Sequence, residues 1–189
     1  MKTFLILSVF LLSIVIANGQ VKWGIKLSGG ITNVTDEKES IGPKFGFQIG
    51  GLGIYNINPD WGIQFEGLYS SKGAESSDDP PVKFNFTYLE IPVLIKFKVS
   101  EVGEHKGRLN LIGGFYYGAK LSGEVEIQNI KLDADGLESS DFGLIFGIDA
   151  FLSRRLSIDG RFSYGLSNLT KSGTSNNLGI LAGIAYYFN

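Results

Sequence analysis

Few residues in this chain have the type and spacing that chemistry requires. The single histidine, His105, lies between Glu104 and Lys106 in a polar turn. Acyl transfer and lipid hydrolysis want a histidine beside a serine or a carboxylate in a protected site. A histidine among charged neighbours in a turn reads instead as a solvated side chain. The segment Asp133-Ala134-Asp135-Gly136 with Glu138 places carboxylates around a tight turn, as a hard cation would require. It lacks the third ligand position and the later glutamate of a calcium loop, so an acidic solvated loop is expected. Gly50-Gly51-Leu52-Gly53 has no strand-to-helix context for a phosphate cradle, and Asp78-Asp79-Pro80-Pro81 reads as a stiff acidic loop tip. No catalytic residue, metal site or cofactor is therefore expected, and the sequons Asn33-Val34-Thr35, Asn85-Phe86-Thr87 and Asn168-Leu169-Thr170 carry no information.

The chemistry that remains is ionic. Lys26, Glu66, Glu90, Lys96, Lys120, Asp149, Asp159 and Arg161 stand inside segments whose alternate positions are apolar, and Lys22, Lys44, Lys98 and Arg108 share their parity. Both signs occur, so the group is expected to form a structural network of salt bridges and hydrogen bonds rather than an ion pathway. What must position these residues is a set of β-strands. In Asp141 to Leu152, Phe142, Leu144, Phe146, Ile148, Ala150 and Leu152 alternate with Asp141, Gly143, Ile145, Gly147, Asp149 and Phe151, the two-residue period of a strand.

Eight such segments follow one another: Val21 to Ile31, Pro43 to Tyr55, Trp61 to Ser71, Lys83 to Val99, Arg108 to Ser122, Asp141 to Leu152, Arg155 to Ser167 and Asn177 to Phe188. The odd-numbered connections are polar loops, Thr32 to Gly42, Lys72 to Val82, Gly123 to Ser140 and Asn168 to Asn176. The even ones are Asn56 to Asp60, Ser100 to Gly107 and the Ser153-Arg154 corner, two of them tight. This alternation predicts an all-β, eight-stranded antiparallel up-and-down transmembrane β-barrel, with long loops outside and both termini periplasmic.

Two faces compete for the interior. A soluble lipocalin-like cup would line its cavity with the apolar face. That face carries Trp23, Phe45, Phe47, Trp61, Phe65, Phe115, Tyr117, Phe142, Phe146, Phe162, Tyr164, Tyr186 and Phe188, rings that would overfill an eight-stranded lumen. The opposite face carries Gly24, Ser28, Gly46, Gly50, Gly114, Gly118, Gly143, Gly147 and Gly183 along with the charges, and these fit a tight interior. A basic residue turned to lipid would cost about 2–4 kcal/mol at the bilayer midplane. The glycine face is thus expected inside, with Trp23, Tyr55, Trp61, Tyr69, Tyr164, Tyr186 and Phe188 forming two interfacial girdles. The parity break between Phe84-Phe86-Tyr88 and Leu89-Ile91-Val93-Ile95-Phe97 predicts a bulge near Tyr88 or an extension above the membrane, and Pro92 is placed at the same irregularity.

The chain's 189 residues suit one domain, and a formal charge of -2 with no basic cluster excludes nucleic acid as a partner. With no cysteine there is no disulfide framework or lipid-anchoring thiol. Met1 to Gly19, a basic start followed by a short apolar block and small residues, reads as a secretory signal peptide, leaving residues 20–189 as the barrel domain. The apolar block is shorter than the ~20 residues that span a bilayer.

The sequence resembles the porin-like outer-membrane β-barrel family of Gram-negative bacteria, with a shape like the OmpA transmembrane domain and OmpX. The resemblance rests on Gly24-Ile25-Lys26, Tyr88-Leu89-Glu90-Ile91-Pro92-Val93-Leu94-Ile95-Lys96, Asp141-Phe142-Gly143-Leu144, Arg161-Phe162-Ser163-Tyr164-Gly165-Leu166 and Tyr186-Tyr187-Phe188. It implies an outer-membrane location, lipid as surroundings, and a barrel-insertion machinery that reads an aromatic near the end, here Phe188 before Asn189. The expected function is a non-enzymatic, monomeric outer-membrane barrel with a filled lumen, its loops serving envelope integrity or an extracellular partner. The alternative is a small passive porin; a lipid-acting enzyme and a soluble carrier come behind it.

Overall fold

A computed structural model of the protein describes residues 21–36, 41–76, 82–102, 107–127, 130–133, 140–167 and 175–188. Its strands are β1 (Val21–Asp36), β2 (Ile41–Asn56), β3 (Trp61–Ser76), β4 (Val82–Val102), β5 (Gly107–Ile127), β6 (Ile130–Asp133), β7 (Ser140–Phe151), β8 (Leu156–Gly165) and β9 (Ser175–Tyr187). The expected signal peptide at Met1–Gly19, the Asp78–Pro81 tip, Glu104-His105-Lys106, Ala134 to Glu138, Asn168 to Thr170 and Asn189 lie outside the described residues.

Consecutive strands pair antiparallel, β4 pairs β5, β5 pairs β7, and β1 pairs β9 from Gly24↔Tyr187 to Asp36↔Ser175. The result is a closed, eight-stranded all-β barrel. The short β6 is not a barrel stave; it folds back on the end of β5, from Glu124↔Asp133 to Ile127↔Ile130. The predicted third loop therefore begins as a β-ribbon. β1 and β3 likewise run five residues past their predicted ends, to Asp36 and Ser76. β4 and β5 have 21 residues each, which at ~3.3 Å per residue and a tilt near 40° gives roughly 50 Å of height against an apolar band ~25 Å tall. The surplus stands beyond the bilayer.

The facing of the side chains follows the glycine argument. Phe45, Phe115, Phe146 and Ile180 are exposed on the outer wall, whereas Lys26, Glu66, Glu90 and Arg161 are buried in the lumen. Aromatic contacts gather at the two rims: Trp61 with Phe97 (4.6 Å) and Trp23 with Phe65 (5.3 Å) near the short turns, Phe47 with Tyr69 (6.2 Å) and Phe115 with Phe142 (6.3 Å) towards the long loops. The separation of rings from small and charged residues is incomplete. Tyr88, Tyr116 and Tyr187 are among the largest fully buried side chains, and Leu94, Ile112 and Ile145 pack inside with Tyr116.

The break in β4 has a specific form. Residues of even number from Phe84 to Lys96 face inward, with Phe86 and Tyr88 buried against Val34 and Ala74, while Leu89, Ile91, Val93, Ile95, Phe97 and Val99 form the outer wall. Those six outward positions span about the ~9–11 residues of a membrane strand. Above Leu89 the outside is water rather than hydrocarbon, so the apolar residues turn to the inside. The bulge lies beside Tyr88 but on the neighbouring strand: Thr87 faces Ser122 and Tyr88 faces Lys120, leaving Leu121 as the extra residue. Pro92 belongs to a separate irregularity on the opposite edge. There the β3–β4 pairing lapses between Phe65↔Val93 and Leu68↔Glu90 without a change of register, because proline has no N–H to donate.

Glycine permits the tight coiling. A Cβ on Gly50 would lie 2.0 Å from the Gly67 carbonyl oxygen, and one on Gly147 would lie 2.2 Å from that of Gly160. At these positions neighbouring backbones come closer than any side chain allows.

Candidate functional site

The lumen holds the densest cluster of ionisable groups among the described residues, and adjacent strands deliver them by simple parity. Four buried cations, Lys26, Lys72, Lys96 and Arg161, face five buried carboxylates, Glu66, Glu90, Asp141, Asp149 and Asp159. They form three tiers.

Nearest the short turns, Lys96 on β4 donates to Asp149 Oδ2 on β7 (2.7 Å) and to Gln64 Oε1 (3.0 Å), and Asn110 Nδ2 holds Asp149 Oδ1 (2.6 Å). The Lys96 ammonium lies 5.0 Å from the Phe151 ring centroid. In the middle tier, Arg161 on β8 reaches across the barrel to Glu66 on β3. Nη1 and Nη2 each donate to one carboxylate oxygen at 2.7 Å, the fork geometry that makes arginine pairs strong. Arg161 Nε lies 2.7 Å from Asp159 Oδ2, Lys26 donates to Asp159 Oδ1, and Gln64 donates to Glu66.

Towards the long loops, Lys72 pairs with Glu90 at 2.5 Å and Asp141 at 3.4 Å, and sits 4.3 Å from the Tyr116 ring centroid. Gln48 Nε2 donates to Glu90 (2.7 Å), while Tyr116 Oη (2.9 Å) and Asn177 Nδ2 (2.8 Å) donate to Asp141. A buried charge stripped of water is tolerable only with such pairing.

Seven of the eight residues singled out from the sequence fall in these tiers: Lys26, Glu66, Glu90, Lys96, Asp149, Asp159 and Arg161. Lys120, half-buried opposite Tyr88 beside the bulge, stands at the rim. Sequence reasoning missed Lys72, placed in a loop because the third strand was ended at Ser71, and Asp141, which had the right parity but no assigned partner. The neutral partners Gln48, Gln64, Asn110, Tyr116 and Asn177 were missed as well. Their signal was present, since Gln64 precedes Glu66 by one strand period and faces the same way.

Below the lowest tier the lumen opens at the short-turn end into a cavity of about 450 Å³, lined by Lys22, Lys96, Arg108 and Arg154 among others. No group of three or more His, Cys, Asp or Glu among the described residues could hold a metal ion.

Two solved bacterial proteins share this architecture. The attachment invasion locus protein Ail of Yersinia pestis superposes with a TM-score of 0.54 at 16% identity, over 89% of this chain and 99% of that one. Neisserial surface protein A gives 0.56 at 12% identity, over 88% of this chain and 97% of that one. At these identities the likeness is one of fold. A curated relative from Bradyrhizobium diazoefficiens, named as a probable 5-dehydro-4-deoxyglucarate dehydratase, is 32% identical over 85 residues, 44% of this chain. The chain spans about a quarter, 24%, of that protein's length. The model of the outer membrane protein beta-barrel domain, by contrast, matches residues 16–171, most of the chain. Closed wall, lipid-facing rings and ion-paired lumen are what a strand-built protein of the bacterial outer membrane requires, and the chain belongs to the outer membrane protein beta-barrel domain family.

Proposed function

We propose that this protein is a non-enzymatic surface barrel: a sealed scaffold in the outer membrane that presents the ribbons and loops of one end to the exterior, for envelope integrity or for an extracellular partner. The Arg161–Glu66 fork carries the reading. It joins strands on opposite sides of the barrel, with Lys26, Asp159 and Gln64 packed around it, so an ion entering the lumen meets a bolt of saturated charges. On this reading the network of Lys26, Glu66, Glu90, Lys96, Asp149, Asp159 and Arg161 is structural, and the passive-pore alternative fails. Residues 1–19 act as an export signal, both termini are periplasmic, the insertion machinery reads the aromatic end of β9, and the barrel works as a monomer.

The four long loops contain eleven Asp and Glu against four Lys, and one of those, Lys72, is turned into the lumen. An acidic exterior favours cationic partners or divalent bridges to lipid headgroups. The Ail barrel has been solved with the heparin analogue sucrose octasulfate, but a polyanion would be repelled here, so that ligand class is not carried over. Dehydration of a sugar acid is not carried over either, because the likeness covers 24% of the dehydratase.

Planar-bilayer recording tests the proposal. The wild-type barrel should show no steady conductance, and Glu66→Gln with Arg161→Met should open one. Steady openings in the wild type that change on neutralising Glu90 or Arg161 would replace the scaffold with a pore.

A further inference from the structure

The cavity at the short-turn end differs in charge from everything above it. Every tier cation is paired with a carboxylate, whereas the described vestibule cations Lys22, Arg108 and Arg154 are not. Lys22 and Arg154 have no ion-pair partner among the described residues, and the buried Nε of Arg108 has no hydrogen-bond partner among them, its Nη2 reaching only the Pro59 carbonyl oxygen. Lys96 and Asn110, both held on Asp149, form the floor. The one carboxylate in the described lining is Asp60, at the outer lip, whose nearest cation is Lys98 at 3.9 Å. Ile54 and Phe151, the latter stacked on Tyr187 at 5.2 Å, supply an apolar wall.

A bare excess of cations in a recess walled by protein raises the local potential and concentrates anions. A free guanidinium edge selects oxyanions with planar or tetrahedral oxygens over halide. At about 450 Å³ the cavity lies within the range of small-molecule sites and is larger than a simple ion needs.

We propose that the vestibule is a binding site for a phosphate monoester, its oxyanion held by Arg108, Lys22 and Arg154 and a small apolar group resting on Ile54 and Phe151. The site is a dead end, since the Lys96–Asp149 tier closes it above. It stands on this geometry alone and holds whether or not the loops have a partner. Phosphate of this kind occurs on soluble metabolites and on lipid headgroups.

Calorimetric titration of inorganic phosphate and phenyl phosphate into the folded barrel in maltoside micelles tests it, with heat-modifiable gel mobility confirming the fold of each variant. Saturable one-to-one binding is expected, tighter for phenyl phosphate. Arg108→Gln and Lys22→Gln should each weaken it by roughly tenfold. Arg154→Gln, on an exposed turn where folding is not at risk, should weaken it too, and Arg155→Gln beside it should not. Repeating the titration in nanodiscs containing phosphatidic acid, whose headgroup is a phosphate monoester, separates the sources: retained binding assigns the site to a soluble phosphate, and lost binding to a lipid headgroup. The absence of saturable binding at millimolar ligand, or wild-type affinity in the Arg108, Lys22 and Arg154 variants, would overturn the site.

Discussion

Removing Arg161 should be more harmful than removing the glutamate it grips. Arg161 is shared between Glu66, through two 2.7 Å hydrogen bonds, and Asp159, through Nε at 2.7 Å, and the side chains of Arg161 and Glu66 are 3% and 0% exposed. Breaking a buried pair by deleting one partner costs about 3–5 kcal/mol, mostly from the charge left behind. Glu66→Gln keeps the shape and leaves Arg161 its contact with Asp159, which places this variant near the lower end, about 3 kcal/mol. Arg161→Met strands two carboxylates, Glu66 with only Gln64 and Asp159 with only Lys26, and belongs near the upper end, about 5 kcal/mol. The double variant should resemble Arg161→Met alone, a coupling of about 2–3 kcal/mol. Reversible urea unfolding in phospholipid vesicles, followed by gel mobility and by the fluorescence of Trp23 and Trp61, measures all three. If Glu66→Gln proves as damaging as Arg161→Met, or the two changes add to within about 0.5 kcal/mol, the fork is not a coupled unit and the reasoning fails.

Other consequences are simpler to measure. Gly183→Val should destabilise the barrel in the same unfolding assay, because a Cβ there would lie 2.8 Å from Asp159 Oδ1 and 3.1 Å from Lys26 Nζ; Gly160→Ala, whose Cβ meets nothing within 4 Å, should not. Tyr187→Ala removes a 1% exposed ring stacked on Phe151 and should cost about 3–5 kcal/mol and lower the amount of inserted protein on fractionation. Phe146→Arg, on the lipid wall at 54% exposure, should cost about 2–4 kcal/mol, whereas spin labels at Phe146 and Asp149 should report hydrocarbon at the first and its absence at the second.

Most of the barrel was legible because the bilayer imposes a strict alternation on every strand that crosses it. The strand count, the inward glycines and the outward rings all follow from that period. The rule lapses where hydrocarbon ends. Above Leu89 the apolar residues Phe86 and Tyr88 turn inward, and below the tiers Leu52, Ile54 and Tyr187 do the same at the other mouth. For Phe86 and Tyr88 the parity switch offered an extension above the membrane as one reading, but nothing marked the lower cluster, because composition does not say where the solvent changes. Lys72 was lost for the same reason. Polar residues after Ser71 signalled a loop, yet β3 continues to Ser76 as ribbon and carries Lys72 into the lumen. The basic vestibule was also illegible, since Lys22, Arg108 and Arg154 are remote in sequence and meet only through barrel closure.

The seam between β1 and β9 makes assembly all or nothing. Until Gly24 meets Tyr187, both flanking staves present open backbone edges, and no half-built intermediate is sealed. The last backbone hydrogen bonds of the wall therefore form together, when the first and final staves zip from Gly24↔Tyr187 to Asp36↔Ser175.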